Sequence, residues 1–208
     1  MESDYVRVAI NCAYELKEGE KNPDAYNNIL NMMSAMKTAN PDIKFFASPR
    51  PLWVAYGTKN GVPWTPYPVW IQEWVQKGTT TIDDIEYPTW KKGEFHVDKL
   101  VQYYADYLNF MHKNGYKISY LDLSNEQTII KPWSTKVIYD SLPNLLEDGV
   151  NMPELVVPST WSHEQGTTWL KSVNKEKNEH IAFSVAAVHN TGGEFAGEAF
   201  AGEAQKVN

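Results

Sequence analysis

The residues best suited to chemistry lie in one short stretch, YLDLSNEQT, residues 120–128. An apolar, strand-like run ends abruptly there in Ser124, Asn125 and Glu126. A carboxyl beside an amide, carried on a buried strand, has the parts of a general acid/base: a titratable group, and a neighbour able to orient a hydroxyl-bearing ligand. A glutamate after a strand is more often a solvated loop residue. The adjoining amide and an aromatic setting move Glu126 toward the catalytic reading.

Similar residues follow the other β-like runs. In chain order they are Asn11 and Tyr14; Ser48, Arg50 and Trp53; Trp133 behind Glu126; Thr160, Trp161 and His163 with Glu164; and His189 with Asn190. In parallel α/β folds the carboxyl ends of strands form the rim where ligands bind. A carboxylate flanked by amides and indoles suits a saccharide. Breaking a glycosidic bond takes a proton donor and an opposed carboxylate, and tryptophan faces stack on sugar rings. Plainer roles stand beside these. Trp53, Trp133 and Trp161 serve equally as core or loop packing, and Arg50 equally as the partner of a nearby carboxylate. His189 reads first as a structural rim group, and Glu164 as a group that caps or solvates the following helix. No glycine-rich dinucleotide motif, phosphate loop, zinc-protease motif or serine-esterase elbow is present, and the five histidines lack metal spacing. No metal or organic cofactor is implied.

The elements that must position these groups alternate. YVRVAIN (5–11) and IKFFAS (43–48) read as strands, separated by a helix over 25–39 that places Tyr26, Ile29, Leu30, Met33 and Met36 on one face. Residues 49–95, rich in Pro, Gly and Trp, read as a long ordered loop. A helix over 96–114 carries Leu100, Val101, Tyr104, Leu108 and Met111 at helical spacing and stops at Gly115. KISYLDLS (117–124), ELVVPS (154–159) and AFSVAAVH (182–189) are further strands. Helices are expected over 134–148, where Pro143 should kink or break the element, and near 165–174. The alternation predicts a parallel sheet. Five strands are spent by residue 189 of 208, whereas a closed eight-stranded β/α barrel typically takes about 250 residues. The expected fold is therefore α/β: an open sheet or an incomplete (β/α)8 TIM-type barrel of about five parallel strands. It is expected over 1–192, with a low-complexity Gly/Glu/Ala tail over 193–208.

A net charge of −7 without a basic stripe argues against nucleic acid as a partner. No run of about 18 apolar residues suggests a membrane span. The lone Cys12 excludes an intramolecular disulfide. The start, MESDYVRVAIN, lacks the basic and apolar regions of a signal peptide.

Two longer stretches carry a family resemblance. FFASPRPLWVAYGTKNG resembles the third-strand segment of family 30 glycoside hydrolases and related clan A enzymes. FHVDKLVQYYADYLNFMHKNGYKISYLDLSNEQ resembles their next helix and strand, which end in Asn-Glu. The resemblance spans about residues 5–190. It implies that Glu126 is the acid/base of a retaining mechanism and that Asn125 binds the sugar 2-hydroxyl. The rim reading adds Arg50, Trp53, Trp133, Trp161 and His189 as expected substrate-binding residues. Gln127 stands where the family usually has proline, and Arg50 and Leu52 interrupt its Ser-Pro-Trp-Ser-Pro-Pro pattern. The five runs correspond to strands two to six, so the nucleophile of strand seven is expected to be absent from this chain. The expected function is retaining, endo-acting hydrolysis of a poly- or oligosaccharide, the isolated chain being inactive and self-associating through open sheet edges. The parent enzyme is expected to be secreted or periplasmic. The alternative is a non-catalytic saccharide-binding or structural α/β domain derived from a glycosidase.

Overall fold

A computed structural model describes residues 4–50, 67–82, 84–175, 183–189 and 197–207. Five strands form one parallel sheet: β1 (Tyr5–Asn11), β2 (Lys44–Arg50), β5 (Ile118–Asp122), β6 (Glu154–Thr160) and β7 (Val185–Val188). They lie in the order β1-β2-β5-β6-β7, so β1 and β7 are its edges among the described residues. These are the five strands expected from the sequence. The intervening helices are α1 (Asn27–Ala39), α2 (Val97–Lys113), α3 (Pro132–Ser141) and α4 (His163–Lys175). Among the described residues no closed barrel forms.

The two faces of the sheet differ. Val8, Ile10, Phe45, Ala47, Leu121, Leu155 and Val157 are buried, in one cluster with Leu100, Val101, Tyr104 and Leu108 of α2, Ile138 of α3 and Leu170 of α4. Strand side chains alternate between faces, and register aligns Arg7 with Phe46 and Phe46 with Tyr120 on the other side. There Arg7 is exposed, Phe46 and Tyr120 are half-buried, and Tyr5 is 47% exposed. In a closed barrel that face is a packed interior. Here it is open at one end and bears the candidate site at the other.

Helix α2 is the main wedge. Tyr103, Tyr104 and Tyr107, at i, i+1 and i+4 on one face of the helix, are all buried. Tyr107 packs against Tyr26 on one side, and Tyr103 meets Trp70 on the other. The helix is thus enclosed by the sheet, the segment before α1 and the segment before the hairpin. Gly115, with φ of 83°, ends it: Gly115 N–H donates to His112 O and Tyr116 N–H to Met111 O. Helix α3 begins on Pro132, whose missing N–H costs nothing in a first turn. Pro143 forces the expected change, and the helix gives way to a 3-10 turn over Leu142–Leu145.

One segment departs from the sequence reading. Within the stretch expected to be a loop, β3 (Gln72–Ile82) and β4 (Ile85–Phe95) pair as an antiparallel hairpin. Gly78, Pro88 and Gly93 hide it in the sequence. A two-stranded ribbon consists only of edges, so Pro88 removes no essential ladder bond. The register slips at Gln72/Trp74 and Gln76/Gly78 likewise blur the alternation that marks a strand.

Part of the tail is helical. In α5 (Gly197–Ala204), Phe200 is buried against Gly166 of α4, where an added Cβ would lie 2.9 Å from the Phe200 ring. Asn174 Nδ2 also donates to Glu203 Oε2 at 2.8 Å.

Candidate active site

The segment after β5 is held from three directions. Tyr67 and Tyr104 both donate their hydroxyls to Leu123 O, at 2.7 and 2.9 Å. Both phenols are fully buried, and desolvation drives their pKa values well above the ordinary range, so they remain donors. Buried Asp122 accepts from Ser124 N at 3.0 Å and Asn125 N at 3.2 Å, folding the chain back on itself. Ser124 Oγ donates to Pro158 O at 2.6 Å, and Glu126 N to Ser159 O at 2.6 Å, fastening the turn to β6. Asn125 and Glu126 take φ values of 41° and 68°, left-handed conformations that cost energy outside glycine. These contacts hold that strain in place.

Asn125 is fixed at both ends of its amide. Its Nδ2 donates to Pro49 O at 2.6 Å, and its Oδ1 accepts from Arg7 Nη2. The same Arg7 nitrogen donates to Ser48 Oγ at 2.7 Å, and Ser48 donates onward to Asp122 Oδ2 at 2.7 Å. Register places Ala9 beside Ser48 and Asn11 beside Arg50, so β1 and β2 bring Arg7, Ser48 and Arg50 to the face below Glu126. Together Arg7, Ala9, Ser48, Pro49, Arg50, Asn125 and Glu126 line an open cleft of about 380 Å³. Glu126 is the single carboxylate among those lining residues.

Glu126 has one further partner. His189 Nδ1 lies 2.6 Å from Glu126 Oε1, within hydrogen-bonding distance. The two side chains are only 24% and 16% exposed for His189 and Glu126, respectively. The His189 backbone N–H bonds to Thr160 O at 2.8 Å, immediately after the carbonyl that holds Glu126. Successive carbonyls of a strand point to opposite neighbours, so the end of β6 positions both residues.

Of the residues expected from the sequence, Glu126, Asn125 and Arg50 meet in the cleft, and His189 joins them through Glu126. Trp133, at the start of α3, and Trp161, just past β6, sit 51% and 45% exposed, outside the lining. Trp53 and Asn190 lie outside the described residues. Arg7 and Asp122 were missed. Their signals were a cation in the middle of the apolar run YVRVAIN and an acid two residues before Ser124.

Glu73, Glu94 and His96, at the base of the hairpin, bring candidate ligand atoms within 4.8 Å of one another. His96 Nε2 lies 3.2 Å from Glu73 Oε1, and this contact with His96, then the Glu94 N–H, holds the Glu73 carboxyl below its ordinary range. None of the three lines the cleft. Among the described residues, no helix is long and apolar enough to cross a membrane.

An open parallel sheet with crossover helices and a polar cleft at its carboxyl rim has the architecture of part of a β/α barrel. Solved structures of this class match it. An endo-β-1,6-glucanase aligns over 98% of this chain and 46% of its own, with a TM-score of 0.63 and 15% identity. A glycoside hydrolase family 30 subfamily 8 xylanase from Clostridium acetobutylicum aligns over 92% of this chain and 43% of its own, with a TM-score of 0.59 and 15% identity. A family 30 endoxylanase from Clostridium papyrosolvens aligns over 98% and 47%, with a TM-score of 0.54 and 15% identity. At this identity the likeness is one of fold, and the chain spans less than half the length of these structures. No protein-family model matches the chain. No curated protein matches it either.

Proposed function

We propose that this chain carries the acid/base half of a retaining β-glycoside hydrolase acting on a poly- or oligosaccharide, with Glu126 as general acid/base. The observation behind this reading is Glu126 itself: at the carboxyl end of β5, in a polar cleft, beside an immobilised amide and bonded to His189. In the first step Glu126 would protonate the departing glycosidic oxygen while a second carboxylate attacks the anomeric carbon. In the second it would deprotonate the incoming water. Asn125 keeps one Nδ2 hydrogen beyond its bond to Pro49 O, and that hydrogen would serve a sugar hydroxyl. Arg7 both fixes Asn125 and lines the cleft. Arg50 would contact the sugar in the cleft, and Trp133 and Trp161 would contact the chain of sugars farther out.

A retaining mechanism needs its two carboxyls about 5 Å apart. The described lining residues hold only one, and this reading takes the nucleophile from outside them. The same observation favours a second reading, a non-catalytic saccharide-binding domain. Turnover and binding of a panel containing β-1,4-xylan, β-1,6-glucan and their oligosaccharides separate the two. Hydrolysis that falls by several orders of magnitude in Glu126→Gln supports catalysis. Binding without turnover, unchanged by that substitution, supports the second reading, and neither binding nor turnover would sink both. The edges of β1 and β7, unpaired among the described residues, further favour self-association, which sedimentation would detect as a concentration-dependent mass.

A further inference from the structure

We infer that the β3–β4 hairpin is a saccharide-binding arm, with Trp74 and Trp90 forming a stacking wall that extends the cleft beyond Glu126. The inference rests on the saccharide reading above. In the hairpin register Trp74 faces Lys92 and Gln76 faces Trp90, which puts both indoles and the lysine on one face of the ribbon. Lys92 Nζ lies 6.0 Å from the centre of the Trp74 ring and donates to Gln127 Oε1 at 3.4 Å. Gln127 directly follows Glu126, so this face of the arm adjoins the acid/base segment. Desolvation lowers the pKa of Lys92, as expected for an ammonium group laid against aromatic surface.

The way the indoles are seated indicates what the arm would hold. Both Trp74 and Trp90 are half-buried, yet both Nε1 atoms are shut off from solvent and have no hydrogen-bond partner among the described residues. With the N–H edges covered, the surface left open is the hydrocarbon part of each ring. That surface offers no polar recognition and suits the flat C–H face of a pyranose. Lys92 and Gln127 supply donors and an acceptor beside it for hydroxyl groups. Core packing does not call for this arrangement, because buried unpartnered N–H groups weigh against stability. A sugar bound here would lie one or more units from the bond beside Glu126, so the arm would read chain length.

The test titrates the full chain with oligosaccharides from the panel above, from disaccharide to hexasaccharide, following tryptophan fluorescence and the ¹⁵N indole resonances. Trp74→Ala and Trp90→Ala should each weaken hexasaccharide binding about tenfold and leave disaccharide binding unchanged. Trp90→Phe, which keeps an aromatic face, should retain most of the affinity and so separate stacking from a folding defect. Wild-type affinity across the whole ladder in both alanine variants, with disaccharide binding still lost in Asn125→Ala, would overturn the arm and leave the saccharide reading intact. Failure of the wild type to bind any oligosaccharide would overturn both.

Discussion

His189 Nδ1 and Glu126 Oε1 lie 2.6 Å apart, and the backbone N–H groups of the two residues bond to the adjacent carbonyls of Thr160 and Ser159. They are 63 residues apart in the chain, yet the end of one strand aligns them. A bond from Nδ1–H to a carboxylate fixes the imidazole tautomer. Long-range ¹⁵N–¹H correlation at neutral pH should therefore show His189 protonated at Nδ1. Glu126→Gln should weaken that preference, and a freely exchanging tautomer mixture in the wild type would refute the arrangement.

The chain from Arg7 through Ser48 to Asp122 predicts a stability effect away from Glu126. Ser48→Ala removes the donor to the buried Asp122 Oδ2 at 2.7 Å and one acceptor of Arg7. Leaving a buried carboxylate oxygen unsatisfied should cost about 1–3 kcal/mol. Urea denaturation of Ser48→Ala would measure it, and a loss within error of zero would mean that water replaces the hydroxyl.

Leu123 O is bonded by two phenols, and their contributions should not add. Tyr104→Phe or Tyr67→Phe leaves one hydroxyl on the carbonyl and should cost about 1 kcal/mol. The double variant leaves the carbonyl without either donor and should cost more than the sum of the two, by about 0.5–3 kcal/mol of coupling. A double-mutant cycle by chemical denaturation reads this directly.

Glu15 predicts a pH dependence. It is 1% exposed, with Oε1 accepting from Gly19 N at 2.7 Å and Oε2 lacking a partner among the described residues. Burial raises its pKa, the Gly19 N–H and Lys21 oppose the shift, and Asp106 and Glu18 add to it. A raised carboxyl pKa means that the fold favours the protonated form. Glu15 thus contributes stability below the unfolded value near 4.5, and that contribution disappears as pH rises through the folded value. Glu15→Gln should gain on the wild type as pH rises from 4 toward 7. Parallel stability–pH curves for the two proteins would rule this out.

Gly166 predicts how α5 is held. A Cβ there would lie 2.2 Å from Val188 Cγ1 and 2.9 Å from the Phe200 ring. Gly166→Ala should displace α5 or β7 and destabilise the fold by about 1–3 kcal/mol. Limited proteolysis should then cut residues 197–207 sooner than in the wild type, and unchanged protection would show that the seam accommodates a methyl group.

The sequence alone determined the local periods: five strands, the helix that carries Leu100 to Met111, and the Asn-Glu pair at the end of β5. Each signal is a repeat or a terminus readable within about twenty residues. Glu126 and Asn125 stood out because both follow an apolar run with little alternation, although the structure leaves Ser119 and Tyr120 of that strand only half-buried. The hairpin was lost because Gly78, Pro88 and two register slips disrupt its alternation, and pairing between β3 and β4 was needed to define it.

Only the tertiary structure decided who meets whom. Arg7, Ser48, Asp122 and Asn125 come from three strands, and His189 reaches Glu126 from a fourth. Parallel strands are joined through crossovers, so the neighbours at a sheet's rim are set by strand order and register. Neither leaves a trace in local periodicity.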